Sequence, residues 1–116
     1  MAVIRGAICA NNTIEDISSK SVELVNSIIQ ENKVDVEQIS AIIFSATKDL
    51  DACYPAKAVR EQLCLSNVAF MCFQEMDVVG SLDHCIRVGI FVDNLAQSNV
   101  KHIYIGRAQD LRKDLK

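Results

Sequence analysis

The stretch CIRVGIFV, Cys85 to Val92, decides the fold of this chain, and it follows an acid-bearing turn, Gln74-Glu75-Met76-Asp77. Alternation with a period of two makes it a β-strand with Ile86, Val88, Ile90 and Val92 on one face. Arg87 then projects from the other face. A guanidinium in mid-strand among apolar neighbours costs several kcal/mol unless it is paired or faces a polar cavity. Two readings fit: a structural salt bridge, or one wall of a polar site.

Upstream, Val3 to Cys9 reads as a strand, and Asn11-Asn12-Thr13 supplies N-cap candidates with Glu15 or Asp16 three residues on. A helix of about five turns follows, striped by Ile14, Ile17, Leu24 and Ile28 with Val25 and Ile29 alongside, and it runs out at Asn32-Lys33. Asp35 to Gln38 is a capped turn before a short buried strand over Ser40 to Ala46. Thr47 to Ala52 is a polar loop. The single proline, Pro55, suits the first turn of a second helix that ends near Leu65. Strands are expected at Val68 to Phe73, His84 to Val92 and Val100 to Ile105, and a charged tail, expected to be mobile, closes the chain over residues 106–116.

This order predicts an α+β domain over residues 1–116, a mixed β-sheet packed on two helices. Two helices cover one sheet face only. The other face is expected to carry Arg5, Ala7 and Cys9 from the first strand, Phe70 and Cys72 from the third, Arg87, Gly89 and Phe91 from the fourth, and His102 and Tyr104 from the fifth. That set is too apolar for water and too polar for a plain core. It points to other copies of the chain meeting over a polar cleft, with a monomer wet on one sheet face as the alternative.

At 116 residues the chain is long enough to bury a core without staples. A net charge of -3 argues against nucleic acid as a partner. No apolar stretch approaches the ~20 residues of a membrane span and no signal peptide pattern is present, so a cytoplasmic location is expected. The five cysteines, Cys9, Cys53, Cys64, Cys72 and Cys85, form no C-x-x-C pair, and with only His84 and His102 beside them no metal pattern emerges. They are expected to be reduced and mostly buried.

On the second helix Lys57, Arg60 and Cys64 share one edge, while Ala56, Val59 and Leu63 share another. Its cationic edge is either a solvated face or a wall of the site. Arg5, Lys57, Arg60, Arg87 and Tyr104 together offer donors to an anionic ligand, with Glu75 as the nearby acceptor. Such a set fits a small dianion carrying a hydroxyl. No nucleophile stands beside a base in a familiar pattern, Cys72 is either an activated or a buried inert thiol, and Gly80 lies in no phosphate-binding motif.

Six motifs in order resemble the small, trimeric, AroH-type class of chorismate mutase. They are I-R-G-A at Ile4 to Ala7, S-A-T-x-D-L at Ser45 to Leu50, Y-P-A-K-A-V-R-E at Tyr54 to Glu61, C-x-Q-E-M-D-V at Cys72 to Val78, C-I-R-V at Cys85 to Val88, and H-I-Y-I at His102 to Ile105 followed by L-R. The resemblance implies a pseudo-α/β-barrel homotrimer with sites at subunit interfaces, converting chorismate to prephenate in aromatic amino acid biosynthesis without a cofactor. It implies that Arg87 binds the ether oxygen, that Glu75 with Cys72 holds the ring hydroxyl, and that Arg5 and Tyr104 bind a carboxylate. Tyr54, Ala56, Lys57 and Arg60 become the facing wall from a second subunit, Phe70 and Met71 a neighbouring contact, and Leu111 and Arg112 part of a closing tail. Tyr54 stands where the family usually has Phe, and Phe70-Met71 where it usually has Val-Thr. A non-catalytic trimeric binder of small carboxylates and a trimeric imine deaminase are the rival readings; neither explains Arg87 opposite Glu75 together with the Q-E-M-D and Y-P-A-K motifs.

Overall fold

The computed structural model describes residues 1–115, with side chains through Leu111. Strand β1 (Ala2–Cys9) leads into helix α1 (Ile14–Glu31), β2 (Ile39–Ala46), helix α2 (Pro55–Gln62), β3 (Ala69–Gln74), β4 (Cys85–Val92) and the short β5 (Ile103–Tyr104). The sheet order is β3-β2-β4-β1-β5, with β4 antiparallel to both neighbours and parallel pairs at the two edges.

Local chemistry sets the helix boundaries. Thr13 caps α1 by accepting from the Asp16 N–H at 3.0 Å, and Asp35 with Gln38 closes a capping box on the 3₁₀ turn Val36–Gln38. Pro55 occupies the first turn of α2, where its missing N–H costs nothing. That helix stops at Gln62, earlier than the expected Leu65, because Cys64 turns into the left-handed region with φ 54°. Ile14 is exposed and does not belong to the core stripe; Ile17, Ser21, Leu24, Val25 and Ile28 do.

The core lies between the two helices and one sheet face. Ile4, Ile42, Phe44, Ile86, Ile90 and Val92 from the strands meet Ile17, Leu24, Ile28 and Val59 from the helices, all fully buried. Gly6 is what lets β1, β5 and α1 come so close. A Cβ there would stand 2.8 Å from the Ile103 carbonyl oxygen and 2.8 Å from Ile28 Cδ1. Backbone cannot yield as a flexible side chain can, so Gly6→Ala is expected to cost about 1–3 kcal/mol in denaturant unfolding. An unchanged midpoint would contradict the placement of β5 against β1.

The strand registers correct one expectation. Phe70 lies opposite Ile42 and Cys72 opposite Phe44, so both side chains point toward the helices and pack on the main core. Met71 and Phe73 take the opposite face instead, and both are exposed. The face away from the helices is also not wholly bare. A 3₁₀ segment over Gly106–Leu115 follows β5, and its Ala108 is buried against Ala7 and Cys85, with Tyr104 and Leu111 packed alongside. The expectation that the cysteines are mostly buried is corrected as well: Cys85 alone is buried, Cys9, Cys53 and Cys72 are half-buried, and Cys64 is exposed.

Candidate active site

Two rows of side chains cross the sheet on the face away from the helices. Ser45, Arg87, Ala7 and Tyr104 are successive partners from β2 through β4 and β1 to β5. Met71, Ile43, Gly89 and Arg5 form the next row. A Cβ at Gly89 would find only Val3 Cγ1, at 3.7 Å, so this position leaves open space between Arg87 and Arg5. Arg5 is exposed, and its backbone N–H is held by His102 Nδ1 at 3.0 Å.

Glu75 reaches the first row from the end of β3, where its N–H continues the ladder to the Ala46 carbonyl at 2.8 Å. Its Oε2 accepts from Ser45 Oγ at 2.5 Å and lies 3.3 Å from Arg87 Nε. The arginine contact is an ion pair without a hydrogen bond, since Arg87 Nε is buried with no acceptor in line. Tyr104 Oη is likewise buried and without a partner among the described residues. Buried polar atoms are nearly always satisfied, so two unused donors in one row make this row the candidate site.

The S-A-T-x-D-L motif turns out to brace this row. Ser45 holds Glu75, Thr47 Oγ1 accepts from the Cys85 N–H at 3.0 Å, and the Asp49 carboxylate accepts from the His84 N–H at 3.1 and 3.2 Å. Burial works to raise the Asp49 carboxyl, but hydrogen bonds from Thr47 and the His84 N–H outweigh it and hold it below its ordinary range. These contacts pin the start of β4, and so the height of Arg87. Burial pushes the Cys85 thiol up to about 11, with Cys9 adding to the effect and the nearby Arg87 opposing it.

The remaining expected site residues lie in another layer. Tyr54 is 73% exposed at the start of α2, Lys57 and Arg60 are exposed along it, and Ala56 is buried beneath. Cys72 belongs with this group: burial raises its thiol against a hydrogen bond from the Ala56 backbone, which disfavours the thiolate. A cleft of about 480 Å³ opens here, lined by Lys48, Tyr54, Pro55, Cys72, Phe73 and Gln74. Leu111 is half-buried beside Tyr104, and the side chain of Arg112 lies outside the described residues. One chain therefore brings Arg5, Glu75, Arg87, Met71 and Tyr104 to the open sheet face and Tyr54, Ala56, Lys57, Arg60, Phe70 and Cys72 to the helix side. Ser45 and Cys85 are the contacts that sequence reasoning missed.

The chain matches the family model described as chorismate mutase type I over residues 1–115. It is 42% identical to chorismate mutase AroH of Bacillus subtilis (strain 168) over 114 residues, covering 97% of this chain and 90% of that protein. It is 36% identical to chorismate mutase AroH of Thermus thermophilus over 115 residues, covering 97% and 93%. A solved chorismate mutase from Clostridium thermocellum superposes with a TM-score of 0.90 at 36% identity, covering 95% of this chain and 99% of that one. With motifs, sheet and full-length similarity in agreement, this chain belongs to the type I chorismate mutase family.

Proposed function

We propose that the chorismate mutase activity of this chain, the rearrangement of chorismate to prephenate in aromatic amino acid biosynthesis, takes place in a homotrimeric pseudo-α/β-barrel at sites shared between neighbouring subunits. One observation carries this reading. Arg87 Nε and Tyr104 Oη are unused donors on the open sheet face, while the cations Lys57 and Arg60 stand exposed on the far layer of the same chain. The two halves converge only if the α2 edge of one copy faces the sheet of another. The exposed Met71 and Phe73 and the bare Gly89 supply an apolar rim for that meeting.

In the shared site Arg87 binds the ether oxygen, and Glu75, held by Ser45, accepts from the ring hydroxyl. Arg5 and Tyr104 take one carboxylate. Tyr54, Ala56, Lys57 and Arg60 of the neighbouring copy, with that copy's Phe70 and Cys72 beneath them, form the facing wall and hold the other, and Met71 borders the site from the open sheet face. The rearrangement breaks a carbon–oxygen bond and forms a carbon–carbon bond within one molecule. It moves no proton and needs no nucleophile or cofactor. The protein has only to hold a compact conformer and meet the negative charge that gathers on the ether oxygen. An acceleration of ~10⁶ corresponds to about 8 kcal/mol, of which one preorganised donor supplies ~3–4.

Incubating the pure protein with chorismate while following its loss, with light scattering on the same sample, tests this reading. Rapid loss by a species of about three chains is expected; activity from a monomer would contradict the shared site. The rate should also be nearly independent of pH. The Cys85 thiol, pushed up by burial to about 11, stays neutral across about pH 6–9, and burial displaces the Cys72 thiol upward as well. A bell-shaped kcat profile with limbs near neutrality would return a histidine, His102 first, to the mechanism.

Leu111 packs on the same small cluster as Tyr104, which supports a reading in which the tail closes over a bound ligand. Removing residues 110–116 is expected to raise KM more than it lowers kcat. A loss confined to kcat would instead put Arg112 in the chemical step. The chain has no helix, among the described residues, long and apolar enough to cross a membrane, and its free thiols suit the reducing cytoplasm in which we place it.

A further inference from the structure

Cys9 closes β1 and Cys85 opens β4, and the two are direct cross-strand partners. The Ala10 N–H donates to the His84 carbonyl at 2.9 Å, one residue beyond the pair on each strand. That bond makes Cys9 and Cys85 a non-hydrogen-bonded pair, the kind in which opposite Cα atoms stand only about 4.5 Å apart and side chains lie closest. Such a spacing falls inside the ~4.4–6.8 Å range that a disulfide spans. Their side chains share one small cluster with Ala7 and Ala108. None of the other three thiols has a cysteine opposite it in the sheet: Cys72 faces Phe44, and Cys53 and Cys64 lie outside the strands.

The two sulfurs differ in what they can reach. Cys85 is fully buried and lies against the Arg87 guanidinium. Cys9 is half-buried and lines an open cleft of about 370 Å³ with Asn11, Lys20, Asp83, His84 and Arg107. Small solutes therefore meet Cys9 and not Cys85.

We propose that Cys9 and Cys85 form a reversible disulfide in response to hydrogen peroxide, and that this bond withdraws the Cys85 sulfur from Arg87 and slows the enzyme. The Cys9 sulfur attacks the peroxide, its O–O bond breaks, and Cys9 becomes a sulfenic acid as the first water leaves. The Cys85 sulfur then attacks the Cys9 sulfur, the S–O bond breaks, and a second water carries away the hydroxyl and the Cys85 proton. Two thiols and one peroxide thus give one disulfide and two waters. Adjacent antiparallel strands hold opposite Cβ atoms slightly farther apart than an unstrained disulfide prefers, so the bond suits a switch that thiols reopen. The effect on rate rests on the role given to Arg87 above, whereas formation of the bond does not.

Hydrogen peroxide added to the reduced trimer tests both parts. Expected are a mass loss of about two units per chain, a linked pair of peptides containing Cys9 and Cys85, a fall in kcat of about tenfold, and recovery of mass and rate with dithiothreitol. Cys9→Ser should keep the basal rate and escape both the mass change and the reversible loss. A bond through Cys53, Cys64 or Cys72, or equal sensitivity of Cys9→Ser, would overturn the pairing. A Cys9–Cys85 bond that forms with kcat unchanged would overturn the link to Arg87 and leave the active-site reading to its own tests.

Discussion

Replacing Arg87 with alanine is expected to lower kcat by about 10²–10³, the ~3–4 kcal/mol typical of one lost donor to developing charge. The loss should fall on kcat because the ether oxygen becomes strongly negative only as its bond breaks. The residue is held for this task from both sides, by the ladder to Ala7 on β1 and the ladder to Ser45 on β2. Its Nε lies beside Glu75 without spending its hydrogen bond there. Removing it should leave the fold intact. Glu75 keeps the Ser45 hydroxyl and is 23% exposed, so its charge is not stranded in an apolar core. Lysine keeps the charge but loses the rigid fork, and Arg87→Lys should recover only part of the rate. A near-normal kcat in Arg87→Ala, or a loss explained by unfolding alone, would mean that the Arg87–Glu75 pair is a structural salt bridge.

Much of this molecule was legible before its structure, for identifiable reasons. The alternation in CIRVGIFV, the Thr13 cap, the Asp35 to Gln38 box and Pro55 are short-range signals, and each marks a boundary within a residue or two of where it falls. What failed was long-range. The strand AFMCFQ is apolar at alternate positions on both faces, so its own pattern says that Phe70 and Cys72 share a side but not which side. Only the pairing with Ile42 and Phe44 on β2 decides it. Ser45 was overlooked for the same reason. Nothing local to S-A-T-K-D-L reveals that β2 lies beside β4, or that a hydroxyl there meets a glutamate 30 positions further on. The 3₁₀ segment after Gly106 carries few apolar residues, and its anchor is one small side chain, Ala108, too slight a mark to separate it from a charged tail.

In the proposed trimer no single chain holds a whole site. Arg60 is exposed on α2 and Arg87 stands on the open sheet face; the proposed trimer makes the first the wall of one copy and the second the floor of its neighbour. Arg60→Ala, which removes a cation proposed to bind the substrate carboxylate, should on its own cost at least about tenfold in kcat/KM. The two variants have complementary defects. Arg87→Ala keeps an intact α2 edge, and Arg60→Ala keeps an intact sheet face. Unfolding and refolding the two together in equal amounts shuffles them into mixed trimers, and random assembly places both intact halves at about one quarter of the interfaces. The most direct test is the chorismate turnover of that mixture. Recovery to about one quarter of the wild-type rate is expected, far above either variant alone, whereas a rate equal to the average of the two variants would contradict the shared site and place every site within one chain.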